Sequence, residues 1–260
     1  MVAVPLRVFG NGVEVRDHLL LLKWMIFTGV TVFGFIALWH YNMLQLMIAS
    51  DISYISIVIL AVYALTSLHC LSVTLEVSRE VNAAHRVREQ IMRGTDSFRV
   101  VGDRVLLSEG TELLPGVITD HIRNMVVKTG HAGGKAIDQT PLLRSLADGL
   151  RGKQVLGYFT ADLELKLGLL GTIVGFIYML VPLNDLTDFS VSSMRGVLTF
   201  MSTGMGIALY TTLAGLVAAI LIKIQYYFVD ESTAYLFGMT TELTEIYVVP
   251  VLDRGEHGSV

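Results

Sequence analysis

Two threonines carry the sharpest chemical hint in this 260-residue chain. Thr172 lies in LKLGLLGTIVGFIYMLVPL, Leu165 to Leu183, and Thr212 lies in STGMGIALYTTLAGLVAAI. Each stretch is about twenty residues long and almost free of charge, enough to cross a hydrocarbon core of roughly 30 Å as a helix. At about 1.5 Å per residue, Thr172 stands roughly 9 Å above Lys166 and Thr212 roughly 16 Å above Lys223. One helix climbs where the other descends, so both hydroxyls fall in the inner half of the bilayer. Two readings follow. Each hydroxyl can bond a carbonyl one turn back in its own helix and ease packing. Alternatively, the pair can line a narrow polar path that passes a proton or a dehydrated cation.

The helices that must position these hydroxyls carry small residues on the same faces. Gly168, Thr172 and Gly175 fall at i, i+4 and i+7, with Gly171 alongside. Gly204, Ala208, Thr212, Gly215 and Ala219 recur every three or four residues. Small side chains let neighbouring backbones come close, so the two stripes are expected to face each other or a shared third helix.

A hydrophobic content of 53% arranged in long uncharged blocks, with a mean hydropathy of +0.60, marks an integral membrane protein. The fold expected is all-α, with four transmembrane helices and a helical cytoplasmic segment between helices two and three. Residues 1–18 form a polar tail and 19–75 hold the first two spans with a short outer link. Residues 76–164 form the polar segment, 165–228 the last two spans and 229–260 a mixed tail. Trp24, Trp39 and Tyr41 lie near the ends of the first span, where amphipathic rings favour the headgroup level. The polar segment opens as an amphipathic helix with Val77, Val81, Ala84, Val87 and Ile91 on one face. VLLSEGTELLPGVITDHIRNMVV reads as two short helices parted by Pro115 and Gly116, and GHAGGKAIDQ as a loop.

Thirteen of the nineteen lysines and arginines fall between Arg79 and Lys166, and the two short links contain only Arg195. Short loops poor in cations belong outside, so both termini and the polar segment are expected on the cytoplasmic side.

Other chemistry finds little support. A net charge of −4 without a run of like charges gives nucleic acid no footprint. Cys70, the single cysteine, cannot form an intramolecular disulfide and reads as a small apolar residue. His69 is ionisable within the second span and invites a relay reading, yet it lies close to the charges that begin at Glu76, which favours an interfacial role. No GxSxG, HExxH or phosphate-cradling loop appears, so no enzyme, metal or cofactor is expected. All twenty-three acidic residues lie outside the four spans, so a titratable relay in the membrane has to come from a partner.

LGLLGTIVGFI followed by GMGIALYTTLAGLVAAI resembles the paired signature of the MotA/TolQ/ExbB proton-channel family, and the four-span layout is similar to its flagellar stator branch. The resemblance implies the channel-forming subunit of an ion-driven rotary motor in the bacterial inner membrane. It implies a homopentamer around a dimeric, single-span MotB/ExbD/TolR-like partner whose membrane aspartate cycles through protonation. Thr172 and Thr212 match the threonines that face that aspartate. Two departures stand out. Ile207 occupies the place of a glutamate in the ExbB and TolQ branches. Thr211 directly precedes Thr212, a pairing that resembles sodium-driven stators and keeps Na+ as the alternative, while the frequency of proton-driven members makes H+ the expected ion. By the same resemblance Arg86, Arg88 and Glu89 are possible rotor contacts, beside the plainer reading of a solvated helix face. A non-conducting membrane scaffold is the rival of another class.

Overall fold

A computed structural model describes residues 19–93, 97–108, 110–132, 138–184 and 191–253. The expectations placed on residues 1–18, on the centre of the glycine-rich loop and on the last residues of the tail lie outside this set. Four of the described helices are long and apolar enough to cross a membrane. They are α1 (Leu19–His40), α3 (Ile55–Met92), α5 (Thr140–Asn184) and α6 (Val191–Leu243). The chain is thus an all-α membrane protein, with α5 and α6 in the most extensive contact and α3 packed against both.

Helices α3, α5 and α6 change character along their length, which explains why they outlast the bilayer. Helix α3 spans 38 residues and buries Ile59, Tyr63, Thr66, Cys70, Val73 and Val77, then Ala84, Val87 and Ile91. The three-to-four spacing continues after the composition turns from apolar to charged, so one face stays buried throughout. Helix α5 enters from the polar segment without a break and runs 45 residues, and α6 runs 53.

Two clusters hold the protein together. One joins the spans to one another and includes Trp24, Ile59, Tyr63, Cys70, Ala161, Ala218, Ile222 and Tyr226. Trp24 is therefore a buried packing residue, where its position near a span end had suggested an interfacial ring. The other forms the core of a polar body from Val87 and Ile91 of α3, Ile122 and Met125 of α4 (Val117–Ala132), and Leu236 and Leu243 of α6. Ion pairs tie the helices where they meet this body, Lys23 to Glu231 at 3.0 Å and Lys153 to Glu76 at 2.5 Å.

Three details depart from the sequence reading. The link between α1 and α3 contains a short helix, α2 (Met43–Ser50), bounded by Asn42 and Tyr54 with φ near 59° and 58°. The stretch expected to form two short helices instead begins inside the second strand of an antiparallel hairpin, β1 (Phe98–Val101) and β2 (Arg104–Leu107). Gly102, at φ +63°, makes the two-residue turn that lets Val101 face Arg104. Leu113 then donates its N–H back to the Val105 carbonyl, so the chain before Pro115 is extended rather than helical. Finally, Glu80 of α3 reaches the start of α4, a contact the sequence reading did not foresee. Its carboxylate accepts the Val117 N–H at 2.9 Å and caps α4.

Candidate ion path between the last two spans

The α5–α6 seam is built by glycine facing glycine. A Cβ added at Gly215 would stand 2.6 Å from the Glu164 carbonyl and 2.8 Å from the Gly168 Cα. One at Gly175 would stand 2.6 Å from the Gly204 carbonyl and 2.8 Å from the Ala208 Cβ. At these points the neighbour is backbone, which cannot swing aside, so the approach requires the missing side chains. Gly168, Gly171, Gly175, Gly204, Ala208 and Gly215 all sit at this contact, and Ala219 is buried one turn further along α6.

That approach sets the hydroxyls against each other. Thr172 Oγ1 and Thr212 Oγ1 are 2.5 Å apart. Around them lie two carbonyls: Gly168 O, 3.3 Å from Thr172 Oγ1 and 3.1 Å from Thr212 Oγ1, and Ala208 O, 2.9 Å from Thr212 Oγ1. Two hydroxyl protons thus have more acceptors than they can serve at once. The donors can rotate between partners without a change in packing, and both side chains remain only half buried.

Thr211 is placed differently. It is fully buried, donates to Ile207 O at 2.8 Å in its own helix, and packs its side chain into the space left by Gly171. The roughly 100° between successive helix residues turns it off the pair. Ile207 is buried as well.

The other residues singled out from sequence scatter. Arg86 is exposed, with Nε donating to the Asn82 carbonyl, and Glu89 is exposed. Arg88 turns back toward Glu242 of α6 at 3.9 Å. His69 shares a 2.7 Å hydrogen bond with the Tyr226 hydroxyl, which ties α3 to α6. Cys70 is buried in the cluster that joins the spans.

Sequence reasoning passed over Glu164. It immediately precedes the Leu165–Leu183 span and had counted among the acids outside the membrane. Its side chain is fully buried, and neither carboxylate oxygen has a hydrogen-bond partner among the described residues. Burial pushes its carboxyl up to about 7. The signal was present: Glu164, Gly168 and Thr172 stand at i, i+4 and i+8, on the face that meets α6.

Fold and seam define a multi-pass membrane protein whose last two spans pack backbone to backbone around a pair of hydroxyls. The model of the MotA/TolQ/ExbB proton channel family matches residues 156–237, the segment that holds this seam, and there the resemblance carried by the motifs holds. No curated protein and no solved structure matches the chain.

Proposed function

We propose that the chain is the channel-forming subunit of an ion-driven rotary motor in the bacterial inner membrane. It works as a homopentamer around a dimeric single-span partner and turns proton flow into work on envelope or flagellar machinery. The polar body and both termini lie in the cytoplasm, as the distribution of cations favours. The observation that carries this reading is the Thr172–Thr212 hydroxyl pair, set in a glycine-packed seam within the segment that matches a proton channel family. Rotatable donors held where helices touch suit a partner carboxyl that gains and loses a proton beside them.

Thr211 supports protons over sodium. Its hydroxyl is engaged within its own helix, which leaves two side-chain oxygens at the seam where a stripped sodium ion needs several.

Thr172→Val and Thr212→Val keep the shape and remove the hydroxyl. In native membrane vesicles bearing the full chain with its partner, each is expected to lower proton flux by about tenfold or more with the oligomer intact. Unchanged flux in both variants leaves the non-conducting scaffold. Flux that rises with sodium at a constant proton gradient turns the assignment to sodium.

A further inference from the structure

The seam holds one ionisable group that the threonine pair does not explain. Glu164 sits midway along α5, at the foot of its apolar half, two helical turns from Thr172 by sequence, or about 12 Å along the axis. Its own carbonyl is the atom on which a Cβ at Gly215 would collide, so the residue stands where α5 and α6 touch. An ionised carboxylate enclosed without a counter-charge or hydrogen bond costs several kcal/mol, whereas the neutral acid is tolerated.

Nothing on the surrounding helices offsets a charge there. On α5 itself, Asp162 and Lys166 pair with each other at 2.5 Å on the exposed face. On α6, Lys223 is exposed and Tyr226 is engaged with His69 of α3. Glu76 of α3 pairs with Lys153, and Lys23 of α1 with Glu231. Cys70 and Tyr63 of α3 are buried and neutral in their ordinary forms. Among the described residues, none of these makes an ion pair or hydrogen bond with Glu164.

We infer that Glu164 is a proton-holding station on the ion path, a buried carboxyl inward of the Thr172–Thr212 pair that takes up a proton from the seam and releases it to water on the inner side. The inference rests on the proton-channel reading given above. Each cycle adds one proton to the carboxylate, transferred through water between the threonines and Glu164, and gives one proton to inner water. The carboxylate is regenerated and nothing is oxidised or reduced. A partner's aspartate then supplies one titratable site of the route and this chain the other.

The test uses the full-length protein with its partner in bilayers, comparing Glu164→Gln, a neutral near-isostere, with Glu164→Asp, a shorter acid. Glu164→Gln is expected to lower proton flux by about tenfold or more, and Glu164→Asp to retain part of it. Difference infrared spectra of the unmutated protein are expected to show a protonated carboxyl band that titrates near neutral pH and disappears in Glu164→Gln. Should Glu164→Gln keep full flux while Thr212→Val abolishes it, the station is overturned and the channel reading stands. If both threonine variants keep full flux and Glu164→Gln loses it, the threonine path fails and the station stands. If Glu164→Gln does not assemble, the infrared titration decides. A carboxylate ionised throughout that range, as pairing with a neighbouring copy would produce, overturns the proposal.

Discussion

Gly168 and Gly215 meet across α5 and α6 so closely that a single methyl carbon on Gly215 would fall 2.8 Å from the Gly168 Cα. Contact of this kind is decided by backbone atoms. Gly215→Val is therefore expected to force the helices apart and to lower stability by about 1–3 kcal/mol or more. Gly149 and Gly152, further down α5, have open space where a Cβ would stand. Alanine at either is expected to be neutral or to stabilise by about 0.5–1 kcal/mol, since a helical glycine is entropically costly. Thermal unfolding of the four purified proteins in one detergent compares them directly, and equal losses at all three sites would refute the seam geometry.

Thr211 and Thr212 are neighbours with separate tasks. Thr211→Val preserves the volume packed on Gly171 and removes a hydroxyl that serves only its own helix. Proton flux in this variant is expected to stay within about twofold of the unmutated protein, against a loss of about tenfold for Thr212→Val. Equal losses at the two positions would put Thr211 on the path.

Asp51 closes the N-terminal end of α3. Its carboxylate accepts the Ser56 N–H at 2.6 Å and the Ser53 N–H at 3.0 Å. Burial alone would raise its pKa, but the hydrogen bonds from Ser53 and Ser56 outweigh it and hold the carboxyl below its ordinary value. A lowered carboxyl contributes stability that is present at neutral pH and is lost as pH falls through the folded pKa. Asp51→Ala is expected to cost about 1–2 kcal/mol at pH 7 and to flatten the stability profile at the acidic end. A variant as stable as the parent at pH 7 would show that the cap is idle.

His121 sits in the core of the polar body, 3% exposed, with Nε2 unpartnered among the described residues. Burial lowers its pKa, opposed in part by a hydrogen bond with Gln139. For a histidine kept neutral by the fold, stability is full above its unfolded value of about 6.5 and falls as pH drops through that value toward the folded one. Protection factors of the α4 amides, which remove the intrinsic pH dependence of exchange, are expected to fall between pH 7 and pH 5 and to lose this dependence in His121→Asn. Protection factors that stay flat with pH in the parent chain would contradict the buried neutral ring.

The sequence made the spans and their small-residue stripes legible because both are written in composition and period. Uncharged blocks of about twenty residues and glycines at i, i+3 and i+4 leave few alternatives. The hairpin was harder. Its cue, Val100 and Val101 before Gly102 and Asp103 with Val105 after, is a two-residue turn between β-branched residues, too short to outweigh helical surroundings. Helix α2 is eight residues long and carries no charge, so it resembled a plain link. Glu164 escaped because a span boundary drawn at the first apolar residue takes no account of which face that residue turns inward. Glu80 reached its partner across 37 residues, a contact no local pattern announces.

Helix α6 runs without interruption from Thr212 to Leu243 in the core of the polar body. Thirty-one residues at about 1.5 Å make a rod of roughly 46 Å between those two points. A tilt of about 5° at the hydroxyl pair would swing the far end by about 4 Å. The same rod that lines the seam therefore has the geometry of a lever, and whatever grips the polar body would feel a small tilt at the hydroxyl pair amplified into displacement.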